Sequence, residues 1–354
     1  MQTHSPPRLA PAPTRLLQRL HAAREPLHAA VIADYFERHP PASEAERLRV
    51  AERCREDLSS HLAQLAAALQ LGDAEVFAAY LRWLQSVLAS RCLAVAHTAD
   101  ALKVARDWIE VHIQDAGVAD VLALLEHGIA ALSAAESGVG LVLAEPGAPA
   151  LAMSQSLLAG ERAGAEAQVL AAMREGAALV DVSVDLLQPA LYHVGALWQQ
   201  NRITVAQEHL ATSIAQTAMV TGFAAADMAP PNGRTAAFAC VQDNLHTLGL
   251  RMVSDAFELA GWDVSFLGAD VPNRDLVDFC DAERPELLGL SVSMPPQLPL
   301  LRALIERLRA ELGNAAPQVV VGGLLVSQLE AAAHTLGADA WFRDVREAMA
   351  AAST

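Results

Sequence analysis

The chain has few aromatic side chains and no long uninterrupted apolar run. Aromatic residues make up 5% of its 354 residues, although apolar residues make up 53%, because alanine supplies much of the apolar share. This composition is typical of a helix-rich protein. The longest uncharged stretch, residues 210–226, is interrupted by Thr, Ser and Gln, so we predict that the chain does not span a membrane.

Paired cysteines are also missing. Cys54, Cys92, Cys240 and Cys280 are widely spaced and match no disulfide or zinc pattern, so we predict four reduced core thiols. Residues 1–13 are polar and proline-rich and lack the apolar core of a secretion signal. These features predict a cytoplasmic protein.

The chain lacks an excess of basic residues. It has 25 Lys and Arg against 41 Asp and Glu, a formal net charge of -16. Binding to nucleic-acid phosphates requires a basic surface, and the arginines of the N-terminal half alternate with acids along predicted helical faces. We therefore predict that nucleic acid is not a direct partner.

Residues 14–136 show apolar positions at helical spacing and no convincing strand. Five helices are predicted. The first begins at Leu16, the second runs from a capping box at Ser43-Glu-Ala-Glu46 to Leu71, and the third covers 74–96. The fourth begins at a cap at Thr98, and the fifth covers 118–133. This pattern predicts an all-helical domain, either a bundle or a globin-like packing.

A Gly- and Pro-containing linker is predicted at 138–149, followed by a four-helix domain over 150–228. Residues 235–354 then alternate between strand-like and helical stretches. The predicted strands are 236–242, 263–268, 287–293, 318–324 and a short one near Trp341, and the predicted helices are 249–260, 272–282, 298–312, 327–337 and a last one after Trp341. This alternation predicts a flavodoxin-like, doubly wound, five-stranded parallel sheet.

Three short motifs accompany these strands. Asn244-Leu-His246-Thr-Leu-Gly249 follows the first, Ser291-Val-Ser293 ends the third, and Gly322-Gly323 lies in the fourth. The carboxyl ends of strands in open α/β sheets are where ligands bind. An imidazole there, three residues before a glycine that lets a ligand approach the backbone, suits a metal-containing cofactor.

With these motifs, residues 235–354 resemble the cobalamin-binding domain shared by methionine synthase, the corrinoid carrier proteins and the cobalamin photoreceptors. The resemblance implies that His246 is the lower axial ligand of cobalt and replaces the cofactor's own dimethylbenzimidazole. The displaced tail would enter the sheet. The residues implied to contact cobalamin here are Asn244, Gly249, Ser291, Val292, Ser293, Gly322 and Gly323.

One position departs from that family. Asp or Glu is usual two residues before the ligating His, where it accepts the second ring proton. This chain has Asn244, whose amide oxygen accepts the same bond without a full charge, so a weaker cobalt–nitrogen bond is expected. The alternative is that His246 is a polar loop residue of a nucleotide-binding flavodoxin-like fold.

The preceding helical domain carries a second motif. Trp198 is separated by nine residues from Glu208-His209, and Thr204-Val-Ala-Gln207 predicts a capping box that starts a new helix. Helical spacing then places Val205, Glu208, His209 and Thr212 on one face. The alternative is that Trp198 is core filling and Glu208-His209 a solvated helix start.

This arrangement resembles the four-helix cap of the light-responsive cobalamin repressors. The resemblance implies that Trp198, Val205 and Glu208 cover the upper face of 5'-deoxyadenosylcobalamin. It also implies that light breaks the cobalt–carbon bond and that His209 then becomes the upper ligand.

The repressors carry a basic DNA-binding domain before the cap, whereas residues 14–136 are acidic and helical. The whole arrangement resembles the photocobilins, in which a globin-like domain holds a bilin such as biliverdin. The candidate bilin residues are His61, Tyr80, Trp83, Arg91 and Cys92. The alternatives are core packing for Tyr80 and Trp83, solvated positions for His61 and Arg91, and a buried thiol for Cys92.

These resemblances together imply a cytoplasmic photoreceptor rather than an enzyme, with a homo-oligomeric state and an unidentified protein effector as further expectations. A corrinoid methyl carrier of a methyltransferase system is one alternative. A sensor of cobalamin, haem or redox state without photochemistry is another.

Overall fold

The structure is a computed structural model that describes residues 10–134, 145–328 and 336–352. Contacts divide the chain into a first unit, Met1–Leu141, and a second unit, Val142–Thr354. The predicted domain end at 136 and most of the predicted linker at 138–149 lie outside the described residues.

The described part of the first unit is helical, as predicted. Its helices are α1 (Thr14–Ala22), α2 (Arg24–Arg38), α3 (Glu44–Leu71), α4 (Ala74–Ser90), α5 (Val95–His112) and α6 (Val118–Ser133). The predicted cap of α3 is present, because the Glu46 amide donates to the Ser43 hydroxyl oxygen at 3.2 Å. The helix ends where Gly72 adopts a left-handed conformation, with φ of 69°.

Three sequence predictions for this unit are wrong in detail. Helix α2 was not predicted, α4 ends at Ser90 rather than near residue 96, and α5 begins at Val95, so Thr98 lies inside it. The cause of the early end is Cys92, whose φ of 54° turns the chain left-handed.

The prediction of four core thiols is also wrong for two residues. Cys92 is exposed and Cys54 is half-buried, whereas Cys240 and Cys280 are buried. All four are free cysteines. Cys92 is exposed because it forms the turn that ends α4.

The core of the first unit lies where α4 packs against α6. Phe77 and Leu81 of α4 are fully buried, and a Cβ added at Gly128 of α6 would lie 2.6 Å from the Phe77 ring. Glycine therefore permits the close approach of the two helices. A globin-like arrangement of these helices stays a prediction.

The second unit begins with a helical region that we call the cap, residues 148–225. It consists of α7 (Ala148–Ala159), α8 (Arg162–Arg174), α9 (Leu179–Val182), a π-helical turn (Ser183–Leu187), α10 (Gln188–Gln199) and α11 (Val205–Ala225). The predicted capping box of α11 is present, with the Gln207 amide donating to the Thr204 hydroxyl oxygen at 3.2 Å and the Thr204 amide to Gln207 Oε1 at 2.9 Å.

The rest of the second unit is the predicted five-stranded parallel sheet, here called the sheet domain. Its strands are β1 (Thr235–Val241), β2 (Asp263–Val271), β3 (Leu287–Ser291), β4 (Gln318–Gly322) and β5 (Ala340–Trp341). They lie in the order β2-β1-β3-β4-β5, and all pairs are parallel. Every residue of β3 is buried, as expected for a central strand covered on both faces.

Helices connect these strands. They are α12 (Leu248–Leu259), α13 (Asn273–Glu283), α14 (Gln297–Leu312), α15 (Leu324–Gln328) and α16 (Val345–Ala352). The helix predicted at 327–337 overlaps α15 only at residues 327–328, and residues 329–335 lie outside the described part. Among the residues that the structure describes, no helix has the length and apolar character needed to cross a bilayer.

Two features of this unit position the candidate site. The chain leaves β1 for β2 on one side and later returns to β3 on the other, so the strand order reverses between β1 and β3. Ligands bind at such switch points, beyond the carboxyl ends of the strands. The cap packs close by, because Met252 of α12 belongs to the same apolar cluster as Val194 and Ile214 of the cap.

Candidate functional site

The β1–α12 loop places His246 at the switch point between β1 and β3. Asn244 in this loop is fully buried. Its Nδ2 donates to the Ser291 carbonyl oxygen at 2.8 Å, which ties the loop to the end of β3. Because Nδ2 is the donor, Oδ1 of Asn244 faces His246 as an acceptor.

This arrangement fixes the orientation of His246. The His246 backbone N–H donates to Asn244 Oδ1 at 3.1 Å, and ring atom Nδ1 donates to the same oxygen at 3.3 Å. A proton on Nδ1 leaves the lone pair of the neutral ring on Nε2. The residue as a whole is exposed, so Nε2 is the available metal donor.

Two residues that the sequence did not single out hold this loop in place. Gln297 is buried, accepts the amide N–H groups of Ser293 (2.7 Å) and Met294 (3.0 Å), and donates to the Asp243 carbonyl at 2.9 Å. Asp270, at the end of β2, accepts the Asp243 amide at 2.8 Å and donates its own amide to the Asn244 carbonyl at 3.0 Å. Three neighbouring loops are thereby joined.

The surface around His246 is open and partly apolar. Leu245 is 73% exposed, and a Cβ added at Gly249 would have no atom of the described residues within 4 Å. A large exposed leucine beside an exposed imidazole is suited to contact with a flat, largely apolar ligand. The glycine keeps the start of α12 free of side-chain atoms on that surface.

The residues predicted to line the slot for the tail occupy the ends of β3 and β4. Ser291 and Val292 are buried and Ser293 is half-buried. The hydroxyl of Ser291 faces Cys240, whose thiol pKa is raised to about 12 by burial. The Cys240 thiol also contacts the His246 carbonyl oxygen at 3.5 Å.

The two glycines differ in role. A Cβ added at Gly323 would lie 2.1 Å from the Val292 carbonyl oxygen, and φ there is 109°. Gly323 is therefore required by the protein's own backbone. A Cβ at Gly322 would meet the Phe342 carbonyl oxygen at 3.5 Å, which is an ordinary contact, so the space beside Gly322 fits the predicted room for a ligand better.

In the cap, the structure places Glu208 and His209 together in the first turn of α11. Nδ1 of His209 donates to Glu208 Oε2 at 2.5 Å, and the Thr212 hydroxyl donates to Glu208 Oε1 at 2.9 Å. The side chain of His209 is 74% exposed. Trp198 is half-buried near the end of α10, and Val205 is 51% exposed.

The donor set suits a metal that brings most of its own ligands. Within residues 10–134, 145–328 and 336–352 there is no group of three or more His, Cys, Asp or Glu side chains that would hold a metal ion. A metal already held by a macrocycle needs one protein donor, as haem iron does. One oriented imidazole on an open surface therefore fits a macrocyclic metal cofactor.

Comparison with known families identifies that cofactor. Two models described as "B12 binding domain" match residues 151–221 and 234–353, which cover the cap and the sheet domain. The chain is also 30% identical to the dimethylamine corrinoid protein of Methanosarcina barkeri over 145 residues, which are 39% of this chain and 67% of that protein. This chain belongs to the B12-binding family.

Further relatives match parts of this chain. Dimethylamine corrinoid protein 1 of Methanosarcina acetivorans is 28% identical over 214 residues, which are 56% of this chain and 98% of that protein. The HTH-type transcriptional repressor CarH of Myxococcus xanthus is 32% identical over 139 residues, 39% of this chain and 46% of the repressor. Cobalamin is thus the cofactor of this B12-binding chain.

The first unit of the B12-binding chain brings three of the five bilin candidates together. The Tyr80 hydroxyl hydrogen-bonds to Nδ1 of His61 at 2.7 Å, and the rings of Tyr80 and Trp83 lie 6.0 Å apart. His61 and Tyr80 are buried, so His61 is not solvated. Arg91 and Cys92 lie beyond the C-terminal end of α4, and Arg91 is roughly 16 Å from Tyr80 along the helix axis.

Burial controls the ionisation of this pair. It lowers the pKa of His61 to about 4, and burial together with the Asp57 carboxylate raises the pKa of Tyr80. His61 is therefore neutral in the folded protein at pH 7. Gln64, one turn further along α3, is also buried, and its Oε1 has no hydrogen-bond partner among the described residues.

The low pKa of His61 predicts that acid destabilises the first unit. Between pH 6.5 and about 4 the unfolded chain protonates this ring and the folded chain does not. Stability is thus lost as the pH falls through this window, by about 3 kcal/mol in total. In His61→Gln this part of the loss should vanish, while the neutral side chain can still hydrogen-bond to Tyr80.

Amide hydrogen exchange of α3 and α4 at several pH values measures the effect in the full chain. His28, whose pKa is also lowered by burial, is present in both proteins and cancels in the comparison. The prediction would be contradicted if the stability of α3 and α4 depended on pH equally in the wild type and in His61→Gln.

Proposed function

We propose that the second unit binds cobalamin with His246 as the lower axial ligand and the dimethylbenzimidazole displaced. The observation that carries this proposal is the fixed tautomer of His246, whose Nδ1–H is held by Asn244 so that Nε2 is free for cobalt. The displaced tail would enter beside Ser291, Ser293 and Gly322. The exposed Leu245 would lie under the corrin ring.

The first candidate function is that of a corrinoid methyl carrier in a methyltransferase system, which the similarities to known proteins favour. Nearly the full length of one dimethylamine corrinoid protein, 98%, matches 56% of this chain. Cobalamin supplies a cobalt that accepts and gives up a methyl group. His246 would hold the cobalt from below, and the cap would separate from the sheet domain when a methyltransferase approaches.

The second candidate is a light-responsive switch, which the cap residues favour. Adenosylcobalamin supplies a cobalt–carbon bond that visible light breaks. Trp198, Val205 and Glu208 would cover the adenosyl group. His209 is suited to become the upper ligand, because the hydrogen bond from Nδ1 to Glu208 leaves Nε2 as the available donor and 74% of the side chain is exposed. The partial match to the repressor CarH also supports this candidate.

A bilin in the first unit extends the switch hypothesis. The buried His61–Tyr80 pair, with Trp83 packed on Tyr80, would bind a chromophore such as biliverdin. The buried Oε1 of Gln64 would accept a pyrrole N–H. Arg91 and Cys92 lie beyond the end of α4, too far from Tyr80 to contact the same rings, so Arg91 would serve only an extended propionate.

In either role the chain would act as a carrier or a switch, not as an enzyme. A cytoplasmic location, a homo-oligomeric state and a protein effector remain part of the proposal. A sensor without photochemistry is a third candidate, and it would bind cobalamin in the same way.

One experiment separates the candidates. The full chain is loaded in the dark with adenosylcobalamin or methylcobalamin, and absorbance spectra are taken before and after green light. His209→Ala is compared with His193→Ala, which removes an imidazole elsewhere in the cap. A switch requires a light-induced spectrum whose final form differs in His209→Ala but not in His193→Ala.

A carrier predicts a different result. His209→Ala would behave as the wild type in the light, and the methyl group would transfer in the dark to a thiol when a methyltransferase is added. A red absorbance band upon addition of biliverdin, lost in Tyr80→Leu, would support the bilin. Failure of the wild type to bind either cobalamin would refute the proposed function.

A further inference from the structure

Arg346 joins the cap to the last helix of the sheet domain. Its Nε and Nη2 donate to Asp181 Oδ1 at 3.0 and 2.8 Å, and its Nη1 donates to Asp185 Oδ1 at 2.9 Å. Nη2 also contacts Asp185 Oδ2. All three guanidinium nitrogens thus donate hydrogen bonds to two carboxylates that are more than 160 residues away in sequence.

The two carboxylates need this cation. Asp181 lies in α9 and Asp185 in the π-helical turn, four residues apart on one helical segment, where like charges repel. The hydrogen bond from Arg346 lowers the pKa of the Asp185 carboxyl. Removal of the guanidinium would leave two neighbouring negative charges at the contact between the cap and the sheet domain.

Helix α16 is well anchored where it presents Arg346. The Asp344 carboxylate accepts the backbone N–H groups of Arg346 (2.8 Å) and Glu347 (3.1 Å), which caps the helix. Val345 and Ala348 are buried beneath it. The sheet domain therefore sets the position of Arg346, and Arg346 in turn holds the cap segment that carries Asp181 and Asp185.

The held segment reaches the upper-face residues. The helical segment α9–π-turn–α10 runs without a break from Leu179 to Gln199 and carries Trp198 near its far end, about 25 Å from Asp181. A π-helical turn inside an α-helix is a local irregularity that is common at functional sites. A change at the Arg346 contact would be transmitted along this segment to Trp198.

We infer that Arg346 is a positioning residue, which holds the Trp198-bearing segment against the sheet domain and sets how readily the cap separates over the cobalamin site. The inference rests on the proposed function for the location of that site. The salt bridge is partly exposed, since 39% of the Arg346 side chain and 66% of the Asp185 side chain are accessible. Its effect should therefore be moderate and sensitive to salt.

The test begins with the cobalamin-free full chain, using amide hydrogen exchange of residues 181–198. Arg346→Gln should raise the exchange rates about two- to fivefold at low salt. Arg343→Gln is the matched control, because Arg343 lies one turn away and pairs with Glu347 of α16 itself, at 3.2 Å. Added salt at 1 M should raise the wild-type rates and leave those of Arg346→Gln unchanged.

Two further variants distinguish loss of the Arg346 contact from unfolding of α16. Asp185→Asn removes the other end of the contact without touching α16 and should raise the same rates. In the double variant the exchange rates should rise by less than the product of the two single effects, because the two residues share one interaction. Unchanged rates in Arg346→Gln, or an equal rise in Arg343→Gln, would overturn the inference.

The positioning role has its own readout, the ratio of the affinities for adenosylcobalamin and hydroxocobalamin. A separated cap loses contacts with the bulky upper group, so Arg346→Gln should lower this ratio about two- to fivefold. An unchanged ratio with raised exchange rates would overturn the positioning role. If no cobalamin binds to any variant, the proposed function fails, and the exchange experiment alone still decides whether Arg346 holds the cap.

Discussion

Replacement of His246 by alanine is expected to abolish imidazole coordination to cobalt and to lower the affinity for cobalamin by about 100-fold or more. Loss of a residue that merely supports a metal ligand already costs about 10- to 100-fold in affinity, and His246 is the proposed ligand itself. The sharpest measurement is electron paramagnetic resonance of the cobalt(II) form. A nitrogen ligand splits the cobalt lines.

Isotopes identify which nitrogen this is. Protein labelled with 15N-histidine should give doublets in place of the triplets of 14N, because the coupled nitrogen belongs to the protein. His193→Ala is the matched control and should keep the doublets. Triplets in the labelled wild type, which indicate the cofactor's own base, would refute the assignment of His246.

Alanine at Gly323 is expected to destabilise the second unit by about 3 kcal/mol or more. The new Cβ would lie 2.1 Å from the Val292 carbonyl oxygen, and the backbone φ of 109° is one that residues with a side chain rarely adopt. Backbone strain of this kind costs about 1–3 kcal/mol, and the overlap adds to it. The backbones of Val292 and Gly323 would have to separate.

Gly322→Ala provides the matched control. Its Cβ would meet the Phe342 carbonyl oxygen at 3.5 Å, so the expected loss is about 1 kcal/mol or less. Amide hydrogen exchange of β3 and β4 in the cobalamin-free chain measures both variants. Equal stabilities of the two variants would show that the close approach at Gly323 is not a constraint.

The fold of the second unit was predictable because its signals are local. Alternating buried strands and amphipathic helices give the parallel sheet, and the predicted first strand, 236–242, differs by one residue at each end from β1. The cap at Ser43 and the capping box at Thr204 were also predictable, because the residues that form them are three apart in the sequence. At Ser43 only half of the predicted box is present, since the Glu46 side chain accepts the Ala42 amide instead of the Ser43 amide.

The contacts that support the site were not predictable. Gln297 reaches Asp243 across 54 residues, and Arg346 reaches Asp181 across 165, and a single sequence carries no local signal of either pair. The motif indicated His246 and Asn244 as neighbours, but the amide orientation depends on the Ser291 carbonyl. The burial of His61 and the left-handed turn at Cys92 depend on tertiary packing in the same way.

The loop that carries His246 has a consequence for the thermodynamics of cofactor capture. Asn244, Gln297 and Asp270 hold its backbone through hydrogen bonds within the protein itself. Little conformational entropy should therefore be lost from this loop when the cofactor arrives, so association should be fast and limited mainly by the cap.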